Sequence, residues 1–258
     1  MPLAFLLLAG CAAPASASGP DRPRGDLTAL RVAETRASGE SDFRRVEEEY
    51  LALLERQPQD SRARAAYADY LQRRGRARDG AREIRRVADE LPHDAGIAHQ
   101  SGGIHFAAGD LKRSALEYQR ATRLAPEAGA FRFDLANVCY LFRHDLAGVI
   151  APTSEEVLRV ALQQFLEAAE LEKTNADYWR AYAESFYIIP GADWTEARRA
   201  WVRYLDHTPD KQFAHLQLAR VALRRGDRND ALNWLKRMPE DHRLAARLRT
   251  QAEALPPR

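Results

Sequence analysis

Three prolines fall at a fixed interval: Pro58, Pro92 and Pro126 are 34 residues apart. Gly75 and Gly109 keep that interval, and so do the pairs Gly80 with Ile84 and Ser114 with Tyr118. A period of this length means that one supersecondary unit is copied along the chain. Each copy is too small to bury a core alone, so neighbours must stack. Proline cannot continue a helix and so marks where each unit stops. Glycine permits the backbone to turn, after which Asp110 is placed to cap the next helix. Nothing in the pattern demands a strand.

The segment from Gly109 to Pro126 (GDLKRSALEYQRATRLAP) resembles the second half of a tetratricopeptide repeat. That family has a helix-turn-helix unit with bulky apolar residues at positions 4, 7, 11 and 24, small residues at 8 and 20, and proline at 32. The small residues let helices A and B approach closely, and the bulky ones fill the spaces between neighbours. The resemblance implies an all-α, right-handed superhelical solenoid of about six repeats plus a C-terminal capping helix. The register places repeats at 26–59, 61–94, 95–128, 129–174, 175–211 and 212–239, with the capping helix at 240–255. The capping helix carries Leu244, Ala245, Leu248, Ala252 and Leu255 at helical spacing. In the fourth repeat Ala161 lies 47 residues after Ser114, thirteen more than the period. The extra residues read as a loop over 145–152, tolerated at the surface, with a lip over the groove or a docking element as the alternative. A helix start follows at Thr153, with Glu156 completing a capping box. The turn of the fifth repeat, residues 188–193, is two residues longer than the family's.

The first twenty residues carry no charge. Leu3 to Ala9 is apolar and far shorter than the ~20 residues that span a bilayer. It ends in Leu8-Ala9-Gly10-Cys11, which resembles the lipobox of bacterial lipoproteins. The resemblance implies a signal peptide at residues 1–10, short and without the basic start of such signals. Cys11 then becomes the lipid-bearing first residue, followed by a flexible tether to residue 25. It places the protein as a membrane lipoprotein at the periplasmic or outer-membrane face; a cytoplasmic location without lipid is the alternative.

No motif for nucleophilic catalysis, nucleotide binding or metalloprotease chemistry is present. No two of the seven histidines stand four residues apart, so no metal site is expected and no cofactor is implied. His105, His215 and Cys139 sit at packing positions of the repeat. Arg73 to Arg86 holds seven arginines against Asp79 and Glu83, and reads as a solvated helix face, with acidic lipid headgroups or nucleic acid as the alternative contact. Lysine plus arginine total 39 and aspartate plus glutamate 37, a balance that argues against a nucleic-acid partner.

In the resembled family the ligand lies along helix A at positions 2, 5, 9, 12 and 13. Those positions nominate a peptide-binding groove of His99, Phe106, Phe133, Asn137, Tyr140, Arg180, Glu184, Tyr187, Arg220 and Arg224, with Phe213, Leu216 and Leu223 beside them. A mix of aromatic, apolar and arginine groups suits a protein or peptide ligand. The protein's own terminal segment or a second copy are alternative occupants. The chaperone-binding subset of the family clamps a terminal carboxylate with a lysine at position 5 and an asparagine at 9. Asn137 is present, but Phe133 stands in the lysine's place, so that ligand is not implied. The functional expectation is a non-catalytic, membrane-tethered scaffold in cell-envelope assembly. The alternatives are a cytoplasmic adaptor or an accessory subunit of an enzyme complex.

Overall fold

The computed structural model describes residues 25–256. The expected signal segment, Cys11 and nearly all of the tether lie outside the described residues. Every named element within them is helical, apart from an isolated bridge between Ala147 and Ala151. The chain forms two compact units, the first ending at Ala125 and the second beginning at Pro126.

The first unit contains α1 (Gly25–Arg36), α2 (Glu40–Arg56), α3 (Ser61–Arg73), α4 (Ala77–Glu90), α5 (Ala95–Ala107) and α6 (Leu111–Leu124). Consecutive helices pack against one another, most extensively α3 on α4 and α5 on α6. The prolines act as the sequence predicts. Helices α2, α4 and α6 end at Arg56, Glu90 and Leu124, each two residues before a proline of the 34-residue series. At the turns, Gly75 and Gly109 adopt φ of 75° and 82°, the left-handed region that L side chains avoid. Asp110 then accepts a hydrogen bond from the Arg113 amide at 3.1 Å and caps α6. Asp60 and Asp94 cap α3 and α5 in the same manner.

Register position 8 packs closely on the B helix, against position 20 in the second repeat and position 24 in the third. A Cβ added to Gly80 would lie 2.6 Å from the Ala68 carbonyl oxygen. One added to Gly102 would lie 2.6 Å from the ring of Tyr118, itself buried. Between α2 and α3, Tyr50, Tyr67 and Tyr70 cluster at ring separations of 5.4–6.4 Å. The Tyr70 hydroxyl donates to the Phe43 carbonyl at 2.6 Å, tying α3 to α2. The arginine-rich stretch proves to be a set of staples. Arg73, Arg74 and Arg76 bond Glu34, Glu40 and Glu47 of the preceding hairpin, while Arg82 and Arg86 pair with Asp79 and Glu83.

The second unit contains α7 (Gly129–Leu141), α8 (Ser154–Leu171), α9 (Ala176–Ser185), α10 (Trp194–His207), α11 (Lys211–Arg224), α12 (Arg228–Leu235) and α13 (Arg243–Glu253). Three hairpins form from α7 to α12, and α13 packs on both α11 and α12. The capping box is present. The Thr153 hydroxyl accepts from the Glu156 amide at 3.2 Å, and Glu156 accepts from the Thr153 amide at 3.1 Å. The extra segment is less passive than a tolerated surface loop. Its Leu146 is fully buried, and the Gly148 amide closes the loop on the Ala151 carbonyl at 2.7 Å. One apolar anchor and one tight bond thus fix a segment that the periodicity alone leaves unassigned.

Candidate functional site

The nominated groove residues divide between the two units. His99 and Phe106 lie on α5 of the first; His99 packs on the Tyr118 ring at 5.3 Å. The other eight belong to the second unit. Phe133, Asn137 and Tyr140 come from α7, Arg180 and Glu184 from α9, and Arg220 and Arg224 from α11. Tyr187 sits in the short 3₁₀ turn Phe186–Ile188 that follows α9.

Side chains link these three A helices. Phe133 stacks on Tyr178 of α9 with ring centroids 4.4 Å apart, and meets Phe165 edge-on at 5.7 Å. Tyr140 meets Phe165 edge-on at 6.0 Å. Arg180 donates to Glu184 at 2.9 Å, and its guanidinium lies 4.9 Å from the ring centre of Phe213 on α11. The Tyr187 hydroxyl donates to the Gln217 side-chain carbonyl at 3.1 Å, and Arg220 donates to the same oxygen at 3.2 Å. The Arg220 guanidinium lies 5.0 Å from the Tyr187 ring centre, and that of Arg224 lies 5.5 Å from the Trp194 ring centre. The Tyr187 and Trp194 rings are themselves 5.5 Å apart. Both pairs fall within the ≈ 6 Å over which a cation is attracted to a ring face. Burial pushes the Tyr187 phenol up to about 12, against the opposing pull of Arg220, so it remains a donor at neutral pH. Burial also raises the Tyr140 phenol, and Glu184 adds to the effect.

The structure alters the nominated set in three ways. Leu216 is buried among Leu235, Met238, Ala245 and Leu248, so it is core and not groove. Phe133, Tyr140 and Tyr187 are half-buried against the unit's main apolar cluster, so each supports the fold as well as presenting a ring. Trp194 and Gln217 join the site although neither occupies a ligand position of the repeat. The signal for Trp194 is the lengthened turn before α10, which brings the first residue of a B helix beside Tyr187. Gln217 is buried, and no register rule points to it.

His105 is nearly inaccessible, and burial lowers its pKa, favouring the neutral ring. Burial raises the Cys139 thiol to about 12, which makes it inert packing. Among the described residues, no group of three or more acidic, cysteine or histidine side chains is placed to hold a metal ion.

Paired helices in register, with small residues at the seams and prolines at the exits, define a fold of the tetratricopeptide class. The similarity to solved structures agrees. YrrB, described as a TPR protein with an unusual peptide-binding site, matches with a TM-score of 0.59 at 16% identity, over 78% of this chain and 97% of that one. The pilF protein of Pseudomonas aeruginosa matches at 0.58 and 15% identity, over 88% of this chain and 97% of that one. The chain also matches 33% of a chain in the Naa15/Naa10 complex bound to HypK, at 0.59 and 16% identity, with 88% of this chain covered. No family model and no curated protein matches the sequence.

Proposed function

We propose that the protein is a non-catalytic scaffold that holds a protein or peptide partner on the α7–α9–α11 face of its second unit. One observation carries this reading: aromatic rings and guanidiniums meet from one A helix to the next, Phe133 on Tyr178, Arg180 on Phe213 and Arg220 on Tyr187. Such composition characterises the energetic centre of protein interfaces. The described similarity to a TPR protein with a peptide-binding site supports it. A photo-crosslinking residue at exposed Leu141 of α7 tests it, with exposed Leu171 of α8 as control. The expected result is a discrete crosslinked species in cells from position 141 and none from 171. Identical patterns from the two positions overturn the reading.

The Leu8–Cys11 motif supports a finer statement, that the scaffold is a lipid-anchored protein of the bacterial envelope serving its assembly. No described helix is long and apolar enough to cross a membrane, and a lipid on Cys11 supplies attachment without one. Intact-mass measurement of membrane-extracted protein is expected to show a chain starting at Cys11 with the mass of a diacylglycerol and an acyl group. Cys11→Ser is expected to abolish both the mass and the membrane fraction. A full-length species with a free Cys11 thiol overturns the anchor.

A further inference from the structure

We propose that this face reads an acidic peptide segment, with carboxylate side chains seated on Arg220 and Arg224. The inference rests on the reading of the face as a peptide groove and deepens it. It follows from how the second unit disposes of its arginines. Arg198 bonds Asp230 at 2.8 Å, Arg225 approaches the same carboxylate at 3.6 Å, Arg199 bonds Glu196 at 3.1 Å, and Arg180 bonds Glu184 at 2.9 Å. Arg220 and Arg224 have no such acid, as Arg203 and Arg237 have none, but these two stand together on the proposed face. Arg220 is held by one amide oxygen and a tyrosine ring, and Arg224 by a tryptophan ring.

The two are four residues apart on α11, one helical turn, where like charges repel. Glu184, whose charge helps to raise the Tyr187 phenol, is already engaged by Arg180. Rings that fix a guanidinium without using its N–H groups leave most of its five donors for an incoming acceptor. A carboxylate relieves the repulsion and gains charge-assisted hydrogen bonds to a pre-positioned fork. Two such cations set among half-buried aromatic side chains suit a short peptide with alternating acidic and apolar groups. A polyanion requires many phosphate contacts.

The test pans a phage-displayed random dodecapeptide library on the intact protein and on R220Q/R224Q. The wild type is expected to enrich peptides rich in Asp and Glu, and the double variant to lose that bias. A synthetic peptide from the enriched set, capped at both ends, is expected to weaken by about tenfold or more in two arms. One arm changes its Glu residues to Gln; the other uses R220Q/R224Q. R220K/R224K is expected to recover part of the binding, and unchanged melting temperatures show that the fold is intact. Enrichment without an acidic bias, or equal binding by the double variant, overturns the inference and leaves the groove reading standing. Absence of any enriched peptide overturns both. Loss in R220Q/R224Q of vesicle, oligonucleotide or self-association binding, with no peptide bound, assigns the arginines elsewhere and also overturns it.

Discussion

Trp201→Ala is expected to cost the second unit about 3–5 kcal/mol, a large part of the ~5–15 kcal/mol that a domain has. The Trp201 side chain is fully buried in that unit's largest apolar cluster. It meets Tyr204 edge-on at 5.5 Å and Phe213 edge-on at 5.8 Å. Alanine leaves a cavity bounded by rings that cannot collapse into it. The damage should reach function, because Phe213 is the ring facing Arg180. Urea denaturation measures the cost, with Trp201→Phe as a milder truncation expected to lose less. A loss under about 1 kcal/mol would contradict the placement of this ring, since that is the scale of an ordinary substitution.

Gly80→Ala is expected to destabilise the first unit by about 2–3 kcal/mol, the upper part of the usual range for overpacking. The sign is informative, because alanine is the better helix former by ~1 kcal/mol. Here the new methyl meets a backbone oxygen at 2.6 Å, and α3 and α4 must separate to admit it. Gly103, in the middle of α5, is the opposite case. Its added Cβ finds only the Tyr118 hydroxyl at 3.4 Å, an ordinary contact. Gly103→Ala should be neutral or stabilising by up to ~1 kcal/mol. Chemical denaturation of the two variants, with unchanged m-values, checks the pair. Equal and small effects would remove the steric account of position 20.

The fold was legible because the marks that define it act within a single repeat. Pro58, Pro92 and Pro126 end the helices directly before them, and Gly109 with Asp110 turns and caps locally. Part of the candidate face was legible for the same reason. Arg180, Glu184, Arg220 and Arg224 fall at ligand positions of A helices, and the structure connects them. What escaped depends on departures from the period. Trp194 enters because a turn is longer than the repeat prescribes. Leu216 leaves because α13, which has no place in the repeat, contributes to the apolar cluster around it. Leu146 is invisible to any periodic pattern, since it anchors residues that the repeat does not contain.

The seam of small residues has a consequence for how such a molecule changes over time. In the second unit, register positions 8 and 20 are Ala136 and Ala161, Ala183 and Ala197, and Ala219 and Ala231, all fully buried. Alanine has no rotamers to lose or exchange. The spacing of each hairpin is therefore set where no side chain can adjust it. The A-helix face thus inherits its geometry from atoms that lie beneath it. Its guanidiniums can be replaced one at a time while the rail beneath stays fixed, whereas its half-buried rings are shared with the core.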